Sequence, residues 1–119
     1  MKLTEFGKFS RKLRIENGEL LKDMAEKLEV TPSYLSAVEI GKRNIPKTWE
    51  EKIVRAYNLD NKNSIELRKS IEYSKKVIQI NVEGFNKDQK DLVLMLARKM
   101  DNLNEKERED LRKMLFKQY

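Results

Sequence analysis

Apolar residues recur at intervals of three and four along almost the whole chain, the spacing that places them on one face of a helix. Phe6, Phe9 and Leu13 line a first helix, which Asn17 and Gly18 should end. Leu21, Met24, Ala25 and Leu28 stand at i, i+3, i+4 and i+7 and mark a second. After a break at Glu29-Val30, Thr31 can cap a third helix that begins with Pro32, where a missing amide hydrogen costs nothing. That helix buries Leu35 and Val38 and ends near Gly41. A polar, basic loop, Lys42–Lys47, follows. Thr48 with Glu51 then matches a capping box opening a helix that carries Trp49, Ile53 and Tyr57. Asn63 with Glu66 is read as the start of a fifth helix, containing Leu67 and Ile71.

After Lys76 the period changes. Ile78, Ile80 and Val82 fall on one side at a spacing of two, so Val77–Val82 is expected to form a short strand. A lone strand cannot satisfy its own backbone, and a second copy of the chain is the natural pairing partner. Asn86 with Gln89 and Asn104 with Glu107 look like caps of two further helices. Both of those helices contain Asp-Leu-x-x-Met-Leu, at Asp91–Leu96 and Asp110–Leu115, which reads as a helical hairpin using one template twice. The expected fold class is therefore all-α: a five-helix domain over residues 1–60, then a short β-strand and a C-terminal helical hairpin over 61–119. The second region is expected to mediate dimerisation, since its stripe of Leu92, Leu96, Met100, Leu103, Leu111, Met114 and Leu115 buries little by itself.

Composition narrows function mainly by what is missing. Among 119 residues there is no cysteine and no histidine. Disulfides, thiolate metal sites, thiol nucleophiles and imidazole bases are excluded, and no cofactor, metal or catalytic residue is expected. The longest apolar run, Leu92–Ala97, is six residues, far short of a membrane span, and the N-terminus shows no secretory stretch. A cytoplasmic protein without enzymatic activity or a membrane partner is the expectation. The net charge of +6 favours a polyanionic partner.

The segment Leu20–Gly41 carries the central inference. Two short helices are joined by about three residues, with small Ala25 where helices cross and Val30 in the turn, the spacing of a helix-turn-helix. The run Ala25-Glu26-Lys27-Leu28-x-Val30-Thr31-x-Ser33-Tyr34-Leu35-Ser36-x-Val38-Glu39-x-Gly41-Lys42-Arg43 resembles the Xre/Cro-type DNA-binding domain of phage repressors and related bacterial regulators. The likeness covers roughly residues 6–59 and implies a five-helix, lambda-repressor-like domain. It implies that the third helix enters the major groove, with Pro32, Ser33, Ser36 and Ala37 nearest the bases. Thr31 and Tyr34, with helix N-terminal amides, would touch phosphates, and Lys42, Arg43, Asn44 and Lys47 would grip the backbone from the loop. Glu39 would face inward, with Arg11 or Arg14 as its partner.

Three positions depart from the family pattern. Leu21 stands where Gln is usual, Glu29 where Gly is usual, and Ile40 where Asn is frequent. With no Arg, Gln or Asn on its exposed face, the third helix is expected to select sequence by Ser hydroxyls, thymine methyls and DNA shape. The function implied is a homodimeric, sequence-specific double-stranded-DNA-binding transcriptional regulator, a repressor of a prophage or mobile element, with a pseudo-palindromic operator. Two alternatives stay open: an antitoxin that uses the same motif while its C-terminal region holds a protein partner, and a protein-interaction module. The extension is too short and too helical for a self-cleaving Ser–Lys domain.

Overall fold

The computed structural model describes residues 2–117. All its regular elements are helical: α1 Glu5–Glu16, α2 Leu21–Lys27, α3 Pro32–Glu39, α4 Trp49–Ala56, α5 Asn61–Ser74, α6 Lys87–Lys99, a 3-10 turn at Met100–Asn102, and α7 Glu105–Leu115. The chain divides into two compact units, Met1–Ile78 and Gln79–Tyr119, so α5 belongs with the first four helices.

The first unit is held by one core. Phe6 and Leu13 of α1, Met24, Ala25 and Leu28 of α2 and its end, Leu35 and Val38 of α3, Trp49 and Ile53 of α4, and Leu67 and Ile71 of α5 are all buried. Phe6 and Trp49 meet with ring centroids 6.1 Å apart. The amide of Phe6 donates to Ser74 Oγ at 2.9 Å, tying the start of α1 to the end of α5.

Most helix ends follow from local chemistry. Thr4, Thr31 and Asp60 accept amide hydrogens from Gly7, Tyr34 and Asn63 and so cap α1, α3 and α5. Asp23 reaches back to the amide of Leu20 at 2.8 Å and closes the open end of α2. Two expected starts differ. Thr48 sits in helical rather than extended backbone, in a turn where the Trp49 amide bonds the Pro46 carbonyl, and it makes no side-chain cap, since a capping side chain reaches the third-residue amide from extended backbone. The cap of the fifth helix lies three residues earlier than expected: Asp60 accepts the Asn63 amide at 2.8 Å, which puts Asn63 inside the helix.

The expected strand at Val77–Val82 is absent, and the described residues contain no β-strand. A spacing of two creates an apolar edge but not a hydrogen-bonding partner, and no other segment among the described residues supplies one. The segment is irregular, with Val77, Ile78 and Ile80 largely exposed.

In the second unit, Asn86 with Gln89 and Asn104 with Glu107 form reciprocal capping boxes on α6 and α7. Arg108 donates to the carbonyl of Leu103 between the two helices at 2.6 Å. No residue of α6, the 3-10 turn or α7 is buried. No helix among the described residues is long and apolar enough to cross a membrane.

Candidate nucleic-acid interface

The carrier of the site is α3, and its position is fixed from its C-terminal end. Glu39 is 4% exposed and is held through both its backbone and its side chain. Its carbonyl accepts from the amide and the hydroxyl of Thr4 at 2.9 and 3.0 Å. Its carboxylate accepts from Ser10 Oγ and from Arg14, whose Nη1 and Nη2 lie 2.5 and 3.2 Å from the two oxygens. Arg14, not Arg11, is therefore the partner. Arg14 is itself 8% exposed, and no buried side-chain nitrogen or oxygen among the described residues is left without a hydrogen bond. Gly7 completes the clamp: a Cβ there would stand 2.2 Å from the Glu39 carbonyl oxygen, so α1 can approach α3 this closely only without a side chain.

The opposite end of α3 is open. Thr31 Oγ1 takes the Tyr34 amide at 3.1 Å, and Pro32 has no amide hydrogen, which leaves the Ser33 amide free for an anion. In the turn before it, Glu29 adopts φ 61°, the left-handed region in which a glycine would be unstrained. The amide of Val30 bonds back to Ala25 at 2.9 Å, so the small residue lies where the turn closes.

Four of the residues expected nearest the bases share one surface. Pro32, Ser33, Ser36 and Ala37 line an open cleft of about 440 Å³. Its remaining walls are Leu21 from α2, Ile40 from the end of α3, and Lys42. The solvent face of α3 is therefore shallow and open, and more apolar than polar. Leu21 and Ile40 are two of the departures from the family pattern, and only the crossing of α2 over α3 brings them together.

Gly41, at φ 82°, reverses the chain after α3, and Lys42 donates its amide to the Ala37 carbonyl at 2.9 Å. This folds the basic loop back beside the cleft. Lys42, Arg43, Asn44 and Lys47 are all exposed. Among the described residues, the side chains of Lys42, Asn44 and Lys47 have no hydrogen-bond or ionic partner, so each can meet an external phosphate. Arg43 lies with its guanidinium carbon 5.4 Å from the Tyr34 ring centroid. That ring is half-buried, edge-on to Trp49 with centroids 6.0 Å apart. Tyr34 thus orients Arg43 from the core, a relation that residue spacing alone did not suggest.

A second polar group braces α2. Tyr57 donates its hydroxyl to Glu19 at 2.6 Å, and Lys27 Nζ lies 2.5 Å from the other Glu19 oxygen and 4.4 Å from the Tyr57 ring centroid. Burial, and then the bond to the Glu19 carboxylate, raise the Tyr57 hydroxyl well above its ordinary pKa of 10.0.

Comparison with protein-family models, with curated proteins and with solved structures gives no match to this chain.

Proposed function

We propose that the chain is a homodimeric, sequence-specific double-stranded-DNA-binding regulator of transcription, a repressor of the prophage or mobile-element type. The observation that carries this reading is the outward face of α3. Its Ser33, Ser36 and Ala37 side chains line an open cleft and are not consumed by the core; Lys42 lines the same cleft, and Lys42, Asn44 and Lys47 of the following loop are exposed and without a partner among the described residues. A B-DNA major groove is about 12 Å wide and admits one helix, and the flanking cations meet the phosphates on its edges.

Dimerisation is supported by the second unit. Apolar residues occupy every side of α6 across Leu92–Ala97, and Leu92, Leu94, Met95 and Leu96 are exposed, as are Met114 and Leu115 of α7. An exposed apolar patch of this extent marks an interaction surface. A unit near roughly 40 residues seldom has enough core to stand without oligomerisation. Two copies would present their α3 helices to successive major grooves about 34 Å apart, on a pseudo-palindromic site.

The test is binding of the full chain to duplexes selected from a random pool, measured by fluorescence anisotropy across a salt series. Log affinity should fall linearly with log salt, at a slope near −0.9 per phosphate contacted. A slope near zero, or no duplex retained at low salt, rejects the reading.

A further inference from the structure

We propose that the second unit is completed by helix exchange with a second copy of the chain, α7 of each copy lying antiparallel on α6 of the other. This pairing rests on the homodimer reading and states which helices of the two copies meet.

Within one chain α6 and α7 barely touch, although only the 3-10 turn, Leu103 and Asn104 separate them. The corner is held by its own bonds. The Leu103 amide donates to the Met100 carbonyl at 3.3 Å, and Arg108 donates to the Leu103 carbonyl. Apolar cover falls away from that corner: Leu103 and Leu111 are half-buried, whereas Met114 and Leu115 are 69 and 65% exposed. On α6, Leu92 is 64% exposed. The surfaces that a closed hairpin would bury are left bare inside the chain.

The chemistry of the two helices selects a second copy as the occupant. Asp-Leu-x-x-Met-Leu stands in both, so α6 and α7 offer one and the same apolar template. α6 ends in Arg98 and Lys99, neither ion-paired among the described residues, and α7 opens with Glu105 and Glu107. Antiparallel contact sets these unlike ends side by side. A two-fold axis repeats the α6–α7 contact, so each copy gives and receives the same helix. A standard interface takes roughly 800 Å² from each partner, and the large apolar side chains exposed from Leu92 to Phe116 are there to supply it. Packing two units side by side would leave the gap between α6 and α7 open in each chain. Exchange fills it.

The chain has no cysteine, so engineered thiols report alone. Leu92→Cys is mixed in turn with Leu111→Cys, Met114→Cys and Leu115→Cys, which samples neighbouring registers. Each mixture of full-length chains is unfolded, refolded together and oxidised with glutathione disulfide. A disulfide needs Cα atoms roughly 4.4–6.8 Å apart, so only facing helices are joined. At least one mixture should yield cross-linked chain pairs several-fold above either variant alone. Mixtures no better than the single variants overturn the exchange. So does a chain carrying both Leu92→Cys and Leu115→Cys that closes on itself as a monomer. Sedimentation of the unaltered chain separates the two failures: a dimer there keeps the homodimer reading without the exchange, and a monomer at every concentration removes both.

Discussion

The Arg14 guanidinium spans the Glu39 carboxylate with both terminal nitrogens, at 2.5 and 3.2 Å, inside the core of the first unit. Ser10 donates to the same carboxylate, so every polar atom of the group is satisfied. Removing one partner strands a charge that cannot reach water. Glu39→Gln or Arg14→Met should therefore lower stability by about 3–5 kcal/mol, and the double change Arg14→Met with Glu39→Met should return most of that loss. Urea unfolding followed by circular dichroism reads all three. A double variant no better than the singles would show that the pair is worth more than the hydrophobic contacts replacing it.

Glu29 holds a left-handed backbone at φ 61° with an exposed side chain whose one ionic contact, to Lys52, is 4.0 Å long. The strain is relieved by removing the Cβ, partly offset by the greater freedom that glycine gives the unfolded chain. Glu29→Gly should stabilise the protein by about 0.5–1 kcal/mol. Asn58, at φ 48°, is the internal control: asparagine tolerates this region, so Asn58→Gly should gain less. Thermal unfolding of the two variants side by side measures the difference.

The Tyr57 hydroxyl gives the fold an alkaline limit. Its pKa is raised in the folded state, by burial first and then by the Glu19 carboxylate. The unfolded chain therefore releases this proton first, and its contribution to stability is present in full below about pH 10 and declines above it. Tyr57→Phe keeps the ring under Lys27 and removes the proton. Urea midpoints at pH 8 and pH 10.5 should converge in that variant relative to the parent. An unchanged alkaline loss would assign it to another group.

Arg43 and Ser33 should separate affinity from preference. Arg43 lies against the Tyr34 ring and is exposed, and on the proposed reading it contacts the sugar-phosphate backbone. Arg43→Ala should weaken binding to all duplexes about equally and reduce the salt slope by about one phosphate contact. Ser33→Arg places a purine-reading side chain in the cleft and should change which sequence is selected. Repeating the selection with each variant decides, and an unchanged preference in Ser33→Arg would mean that α3 meets DNA by a different face.

What could be read along the chain was what local chemistry decides. The capping boxes of α6 and α7 appear as the sequence suggests, because Asn86 and Gln89, or Asn104 and Glu107, need only each other. Thr48 and Glu51 have the same signature, yet the turn from Pro46 holds Thr48 in helical backbone and the cap is not made. Val77–Val82 shows the opposite limit: alternation describes a surface, whereas a strand needs a second backbone, which the described residues do not provide. The inward-facing Glu39 was expected from the motif, and it is buried. The choice of Arg14 over Arg11 as its partner, the seat of Arg43 on Tyr34, and the meeting of Leu21 with Ile40 all depend on how helices cross. Spacing along the chain does not carry that information.

The doubly anchored Glu39 means that α3 inherits its aim from α1. Gly7 adds a steric condition to the same joint, since any larger residue would push the two helices apart. A genetic screen for loss of duplex binding would accordingly return substitutions at positions 4, 7, 10 and 14, on the far side of the helix from the cleft. Their defects would pass for damaged contacts with the ligand while arising from a misdirected helix.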